Sequence, residues 1–242
     1  MKRHNLTEDK DPMGRAIYEY FTTGKAGKLR VFSSQFDEDE LPVSELFRTL
    51  EQMPLLEQTA LRLAHGRILD VGAGSGCHSL ALQTLGKESL AIDISPLSVE
   101  VMKQRGLNAR LTNVFDMGFT GQFDTILMLM NGSGIIGKLK NMHAFLMRVK
   151  QLLAPGGCVL MDSSDLRYLY EDEDGSYLID LAADYYGEVD FRMQYGKVKG
   201  EPFDWLYIDF DTLSAYATPY GFQVEKVLEG EHYDYLARLS LC

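Results

Sequence analysis

Glycines at alternate positions, Gly72, Gly74 and Gly76, follow a short apolar run and precede a segment compatible with a helix. This order is typical of the first turn of a nucleotide-binding sheet, because glycine lets backbone approach a ligand and a helix N-terminus offers unpaired N–H groups. Asp93 ends the next apolar run, 21 residues after Gly72, near the gap of about 20 residues expected for a carboxylate that binds ribose hydroxyls. The two features together predict a nucleotide site.

The position of the third glycine indicates which nucleotide binds. The dinucleotide fingerprint G-x-G-x-x-G/A needs glycine or alanine at position 77, where this chain has Cys77. The third glycine stands one place earlier, so the spacing is G-x-G-x-G. With Asp70 just ahead of it, this segment resembles motif I of the class I S-adenosylmethionine-dependent methyltransferases. An NAD(P)-dependent oxidoreductase or a flavin enzyme is the alternative.

Three further segments add to the resemblance, which covers residue 67 to about 162 and then residues 213–242. Asp116 stands where the family places a carboxylate or amide for the adenine amino group. Residues 152–157 resemble the family's Leu-x-Pro-Gly-Gly turn, and residues 222–228 with 233–241 resemble its terminal antiparallel hairpin. The resemblance implies S-adenosylmethionine as cofactor and S-adenosylhomocysteine as product. The cofactor-binding residues that it implies are Asp70, Gly72, Ala73, Gly74, Gly76, His78, Asp93, Ile94, Phe115, Asp116 and Asn131.

Five of these residues also have a structural interpretation that involves no cofactor. Asp116 fits equally well as a turn residue, because Asx side chains favour turns by themselves, and His78 fits a structural polar contact. Gly72 and Gly74 could merely allow a tight turn, and Asp93 could be a solvated strand end.

The elements that must position these residues alternate between strands and helices, which predicts a parallel sheet with helices on both faces. Ser95 as N-cap, Pro96 at the first helical position and Gly106 after the last turn mark the second of the core helices. Together with the resemblance, the pattern predicts an α/β fold with a Rossmann-like seven-stranded sheet whose last strand is antiparallel. The first five strands of this sheet are predicted at residues 67–71, 89–92, 109–111, 125–130 and 158–161.

Two regions lie outside this core. Residues 1–66 carry helical periodicity and are predicted to form a helical cap, and residues 67–162 form the cofactor-binding core. Residues 163–210 form an insertion in which residues 189–195 and 203–207 alternate between apolar or aromatic and polar side chains around the turn 196–200, which predicts an antiparallel hairpin. Residues 211–242 supply a helix and the final hairpin.

We expect the cap and the inserted hairpin to enclose the acceptor, because in-line methyl transfer needs alignment and the exclusion of water. The candidate walls of this pocket are Tyr18, Tyr20, Trp205 and Tyr207, for which ordinary core packing is the alternative. Asp162 and Asp165 follow the fifth strand and are candidates for acceptor binding or proton removal. Residues 131–134 read Asn-Gly-Ser-Gly and lack the Asn/Asp-Pro-Pro-Tyr/Phe motif of methyltransferases that act on nucleobases or glutamine.

The amino-acid composition limits the binding partners, the cellular location and the metal chemistry that we expect of this protein. The chain has 242 residues with 24 basic and 35 acidic side chains, a net charge of −11 that makes nucleic acid an unlikely substrate. No apolar run is long enough for a membrane span, and the first eight residues lack a signal-peptide core, so we expect a cytoplasmic protein. The cysteines, Cys77, Cys158 and Cys242, are far apart and fit reduced thiols. The histidine spacing predicts no metal site.

Three functions fit these observations. The first is a methyltransferase for an unidentified small-molecule acceptor, acting as a monomer or homodimer. The second is a non-catalytic S-adenosylmethionine-binding protein with the same motif I, and the third is an oxidoreductase.

Overall fold

The computed structural model describes residues 4–172, 174, 176–178, 182 and 184–241. Cys242 and the first three residues, which belong to the cysteine and signal-peptide predictions, lie outside the described residues. The strands are β1 (Leu29–Phe32), β2 (Asp39–Leu41), β3 (Ile68–Val71), β4 (Ser89–Asp93), β5 (Ala109–Leu111), β6 (Phe123–Met128), β7 (Leu153–Ser164), β8 (Glu188–Tyr195), β9 (Val198–Lys199), β10 (Phe203–Leu206), β11 (Phe222–Glu229) and β12 (Asp234–Leu241). The α-helices are α1 (Pro12–Thr23), α2 (Leu55–Leu63), α3 (Cys77–Thr84), α4 (Pro96–Gln104), α5 (Met142–Leu152) and α6 (Phe210–Ala217).

The larger sheet has seven strands in the order β5-β4-β3-β6-β7-β12-β11. Strands β3 to β7 pair in parallel, whereas β12 is antiparallel to both β7 and β11. The predicted α/β fold with an antiparallel last strand is therefore confirmed. The strand order reverses between β3 and β6, and in such sheets ligands bind beyond the carboxyl ends of the strands at that point.

The core lies on both faces of this sheet, because successive side chains of a strand point to opposite sides. Along β6, Ile126 and Met128 pack in the same cluster as the α5 residues Phe145 and Val149. The intervening Leu127 packs on the other face with residues of α2 and α3. Burial on both faces explains why β3 and β6 are almost entirely apolar runs.

Local signals in the sequence predicted α4 correctly. The Ser95 hydroxyl accepts the Ser98 N–H at 2.9 Å, Pro96 occupies the first helical turn, and Gly106 has a left-handed φ of +79° just beyond the helix.

A second sheet, in the order β10-β8-β1-β2 with β9 beside β8, joins the N-terminal region to the insertion. The predicted hairpin is confirmed, since Phe203 pairs with Phe191 in antiparallel register. The predicted helical cap of residues 1–66 contains α1 and α2, and two short strands that the sequence did not predict, β1 and β2, lie between them. Leu29 pairs with Tyr195, so the partner that makes this segment extended comes from the far end of the chain.

No helix in the described part of the chain is long and apolar enough to cross a membrane.

Candidate functional site

The glycine turn lies at the carboxyl edge of the larger sheet, next to the point where the strand order reverses. Gly72, Gly74 and Gly76 have φ values of +71°, +57° and +82°, a region that residues with a side chain enter only at a cost. The N–H groups of Gly72 and Ala73 donate to the Ile92 carbonyl at 2.9 and 3.1 Å. These bonds hold the turn beside the end of β4.

Asp93 connects the glycine turn to α4. One of its carboxylate oxygens accepts the Gly74 N–H and the other accepts the Ser95 N–H, each at 2.8 Å. Burial raises the pKa of Asp93 to about 6, although the two backbone N–H groups favour its ionised form. A carboxylate has more acceptor capacity than these two bonds use, and a ribose diol needs such an acceptor.

The glycines decide how closely a ligand can approach the backbone of the turn. A Cβ built on Gly74 meets only Ile17 Cδ1, at the ordinary contact distance of 3.9 Å, so no other protein atom crowds this position. Gly72 is exposed, and the Cβ that it lacks would come within 2.9 Å of Ile135 Cδ1. Backbone that is accessible only because no Cβ is present, beside a carboxylate with further acceptor capacity, is the donor and acceptor set that motif I requires.

Asp70 and His78 lie behind the turn in a buried polar network. The Asp70 carboxylate accepts the Ser79 hydroxyl at 2.7 Å, and burial raises its pKa. His78 Nε2 lies 2.7 Å from one carboxylate oxygen of Glu57. Both oxygens of this carboxylate also accept a hydrogen bond from the Arg48 guanidinium. Burial alone would lower the pKa of His78, but the hydrogen bond to Glu57 and the surrounding carboxylates raise it. These contacts agree with the structural alternative for His78, and cofactor binding by either residue stays a prediction.

The residues expected at the adenine side lie on two strand ends. The Ile94 carbonyl accepts the Leu6 N–H at 2.8 Å, so the N-terminal segment lies directly over this corner. Asp116 is exposed, and its carboxylate accepts the Gly118 N–H at 2.9 Å, which is the turn role given as its alternative. Asn113, which sequence reasoning passed over, is buried immediately after β5, and its amide oxygen accepts the Phe115 N–H at 2.9 Å. A polar residue at a predicted strand end is the signal that could have found it.

A strained turn follows β6. Met130 and Asn131 have φ values of +64° and +55°, although neither is glycine. The Asn131 amide oxygen accepts the Ser164 hydroxyl at 2.8 Å, so the predicted residue is held by the end of β7. Consecutive non-glycine residues in the left-handed region are costly and concentrate at functional sites.

The two acidic candidates for catalysis both form hydrogen bonds within the protein. Asp162 is buried and accepts the Gly132 N–H at 2.9 Å. Asp165 accepts the Tyr186 hydroxyl at 2.8 Å and forms an ion pair with Arg167. Both lie at the carboxyl edge of the sheet, as predicted, and their proposed roles in catalysis stay predictions.

The aromatic candidates separate into two groups. Tyr18 packs in the cluster that contains Met130, beside the strained turn. Tyr20 instead packs against the second sheet, with its ring centroid 4.7 Å from that of Phe47. The core-packing alternative accounts for Tyr20, whereas a role for Tyr18 at the site stays a prediction.

Trp205 and Tyr207 lie on the insertion. The Trp205 ring covers Gly134, where a Cβ would come within 1.8 Å of the indole. Because Gly134 follows the strained turn, Trp205 lies next to the site. The Tyr207 ring is 6.5 Å from that of Phe191, and burial raises the pKa of Tyr207 to about 12.

The other reactive side chains show no metal chemistry. Cys77 and Cys158 are buried free thiols, and burial raises the pKa of both. Within the described residues, no three histidine, cysteine or acidic side chains converge as a metal site.

Comparison with known proteins agrees with this geometry. Residues 68–157 match a family model described as a methyltransferase domain. The chain is 67% identical to a crystallised S-adenosylmethionine-dependent methyltransferase from Bacteroides fragilis in complex with S-adenosyl-L-homocysteine, with a TM-score of 0.93 over 98% of this chain and 97% of that one.

Curated relatives match over shorter stretches. A ubiquinone biosynthesis O-methyltransferase of Xanthomonas oryzae pv. oryzae is 31% identical over 43% of this chain and 45% of its own length. A demethylmenaquinone methyltransferase of Tropheryma whipplei is 33% identical over 37% of this chain and 38% of its own length. The chain thus spans less than half the length of these two relatives. The glycine turn, the acid at the end of β4, the sheet order and the near full-length match together show that the chain belongs to the class I S-adenosylmethionine-dependent methyltransferase family.

Proposed function

We propose that this protein transfers a methyl group from S-adenosylmethionine to a small-molecule acceptor by in-line displacement. The observation that carries the proposal is the position of Asp93 at the end of β4, where its carboxylate accepts N–H groups from both the glycine turn and the start of α4. When bound, the cofactor supplies a methyl group made electrophilic by the positive charge on its sulfur.

In this proposal the chain contributes binding and alignment. Asp93 accepts hydrogen bonds from the ribose, and the backbone of the glycine turn lies along the methionine part. Residues 113–116 and Ile94 lie at the strand ends beside Asp93, where the adenine ring would be held. The strained turn at Asn131 borders the reacting end of the cofactor.

The acceptor would lie beyond the ends of β6 and β7, between Tyr18 of the N-terminal region and Trp205 and Tyr207 of the insertion. Aromatic walls exclude water and align a flat or apolar acceptor, which is the main requirement of an in-line transfer. The named activities of the two curated relatives, in ubiquinone and menaquinone biosynthesis, support a small organic acceptor. Because Asp162 and Asp165 are hydrogen-bonded within the protein, we do not assign a general base to either of them.

Calorimetric titration with S-adenosylmethionine, S-adenosylhomocysteine and NADH tests the cofactor. We expect both sulfur ligands to bind and NADH not to bind. The double variant Asp93→Ala, Gly74→Val should lose at least about tenfold in affinity, because it removes the charged acceptor and places a side chain in the cradle. Binding of NADH without either sulfur ligand would favour the oxidoreductase instead.

A separate assay addresses catalysis. Release of S-adenosylhomocysteine would be measured with a panel of phenols, amines and carboxylic acids as acceptors. Turnover with any of them supports the proposal, whereas tight cofactor binding without turnover across the panel favours the non-catalytic binding protein.

A further inference from the structure

The side chains of the last three residues of β7 form hydrogen bonds to the segment that follows β6. The Asp162 carboxylate, the Ser163 hydroxyl and the Ser164 hydroxyl each form a hydrogen bond to this segment. The bonds join Asp162 to the Gly132 N–H at 2.9 Å, Ser163 to the Ser133 hydroxyl at 2.8 Å and Ser164 to the Asn131 amide oxygen at 2.8 Å. The backbone N–H of Asn131 also acts on Asp162 and favours its ionised form.

These bonds explain how the strained conformation persists. Met130 and Asn131 both occupy the left-handed region, which costs free energy unless the surroundings impose it. A carboxylate that accepts the Gly132 N–H and attracts the preceding N–H of Asn131 favours such a conformation, because extended backbone directs successive N–H groups to opposite sides. Asp162 is therefore the anchor of the turn formed by residues 130–132.

The turn borders the reacting end of the proposed cofactor site. Residues 132–136 continue from it as a short 3₁₀-helix, whose Ile135 lies against Gly72 of the glycine turn. Asp93, the ribose acceptor, lies on the opposite side of β3, at the end of β4. The glycine turn lies between Asp93 and the turn at residues 130–132. If the ribose binds Asp93, the sulfur end of the cofactor therefore points toward residues 130–132.

The charges around Asp162 are few. His78 and Glu57 are the ionisable groups whose charges act on it most directly, and they oppose each other. Glu57 is itself paired with His78 and Arg48, which leaves Asp162 with backbone N–H groups as its immediate partners. Burial raises the pKa of Asp162 to about 6, so the carboxylate is charged at neutral pH.

We infer that Asp162 is a positioning residue that holds the turn of residues 130–132 against the sulfonium, and that its negative charge stabilises that cation. The inference rests on the proposed function. Asp162 would act by holding the turn in place, and not as the proton acceptor or acceptor-binding residue that the sequence suggested.

The test compares two ligands that differ in charge at sulfur. S-adenosylmethionine and S-adenosylhomocysteine would be titrated by calorimetry at pH 7.5 into the wild type and Asp162→Asn. We expect the variant to bind S-adenosylmethionine about tenfold more weakly and S-adenosylhomocysteine about threefold more weakly, because both need the turn but only the first carries the positive sulfur. At about pH 5.5 the preference of the wild type for S-adenosylmethionine over S-adenosylhomocysteine should approach that of the variant at the same pH, since Asp162 is then largely protonated, whereas Asp93 is present in both proteins and acts on both ligands.

Asp124→Asn is the matched control. The Asp124 carboxylate also accepts a backbone N–H, that of Arg67 at 2.7 Å, but it lies near the amino end of β6, away from the site. Both affinities should match the wild type in this variant. A purely structural role for Asp162 would lower the melting temperature without changing the preference between the two ligands.

The outcomes are separable. Equal losses for the two ligands, or no loss for either, overturn the inference, whereas failure of the wild type to bind either ligand overturns the proposed function. If Asp162→Asn does not fold, Ser133→Ala keeps the charge but removes the hydroxyl bonds to Ser163 and Leu206. We expect this variant to weaken both ligands equally, about threefold, and unchanged affinities would contradict a role for the turn.

Discussion

At Gly74 the backbone conformation and the approach of a ligand depend on the same missing side chain. Its φ is +57°, and its N–H donates to Asp93, so the residue cannot rotate away without losing the carboxylate. A Cβ there would contact only Ile17 within the protein. The cost of alanine at this position is therefore conformational for the free protein and steric for the bound one.

Gly74→Ala should destabilise the protein by about 1 kcal/mol, which lowers the melting temperature by about 2–4 °C in a chain of this size, and should weaken S-adenosylhomocysteine binding by at least about tenfold. Gly86→Ala is the control, because Gly86 has a φ of +71°, open space around it and a position at the opposite edge of the sheet. The control should lose the same stability and keep its affinity. Equal affinities for the two variants, measured by calorimetry, would contradict a close approach of ligand to Gly74.

At the scale of elements, α1 is fastened to the start of α4 by one buried residue. The Asp11 carboxylate caps α1 by accepting the Gly14 N–H at 2.8 Å, and its other oxygen accepts the Ser95 hydroxyl. Because Ser95 caps α4 in turn, the two helix starts share one hydrogen-bonded network beside Asp93. The N-terminal region therefore covers the cofactor side of the site.

Asp11→Ala should release α1 while leaving the sheet folded. The Gly14 N–H and the Ser95 hydroxyl both lose their acceptor, which should cost about 1–2 kcal/mol as for other N-caps. Hydrogen exchange should rise across α1 and stay unchanged across α6, and S-adenosylhomocysteine affinity should fall. Unchanged exchange in α1 would show that apolar packing alone holds the helix in place.

For the whole molecule, several ionisable groups are buried near one edge of one sheet. Burial raises the pKa of both Asp93 and Asp162 to about 6, from an ordinary value of 3.8. The folded protein therefore takes up protons at a higher pH than the unfolded chain does. The raised pKa of His78 acts in the same direction.

The sign of the pH effect follows from linkage. A raised pKa in the folded state means that the stabilisation is present at low pH and is lost as the pH rises through the folded value. Unfolding by denaturant should thus require more free energy at about pH 5.5 than at pH 7.5, by up to about 1.4 kcal/mol per pH unit for each proton. When the pH is lowered from 7.5 to about 5.5, the affinity for S-adenosylhomocysteine should fall, because Asp93 loses its charge. Stability that decreases on acidification in this range would contradict the buried positions of these carboxylates.

The sequence alone determined the features whose signals lie within a few residues of each other. The glycine spacing placed the turn after β3, and the caps at Ser95 and Gly106 bounded α4. Alternating aromatic residues identified β8 and β10 as a hairpin. Such signals are readable because backbone sterics, side-chain periodicity and capping act locally.

Only the tertiary structure decided which distant groups meet. His78 contacts Glu57 across 21 residues, Asp162 reaches Gly132 across 30, and β1 pairs with β8 from the far part of the chain. An isolated carboxylate in a sequence looks the same whether it will act as a base or hold a turn. Its role is set by the hydrogen-bond donors that folding brings to it, because a buried charge must be satisfied by whatever lies within reach.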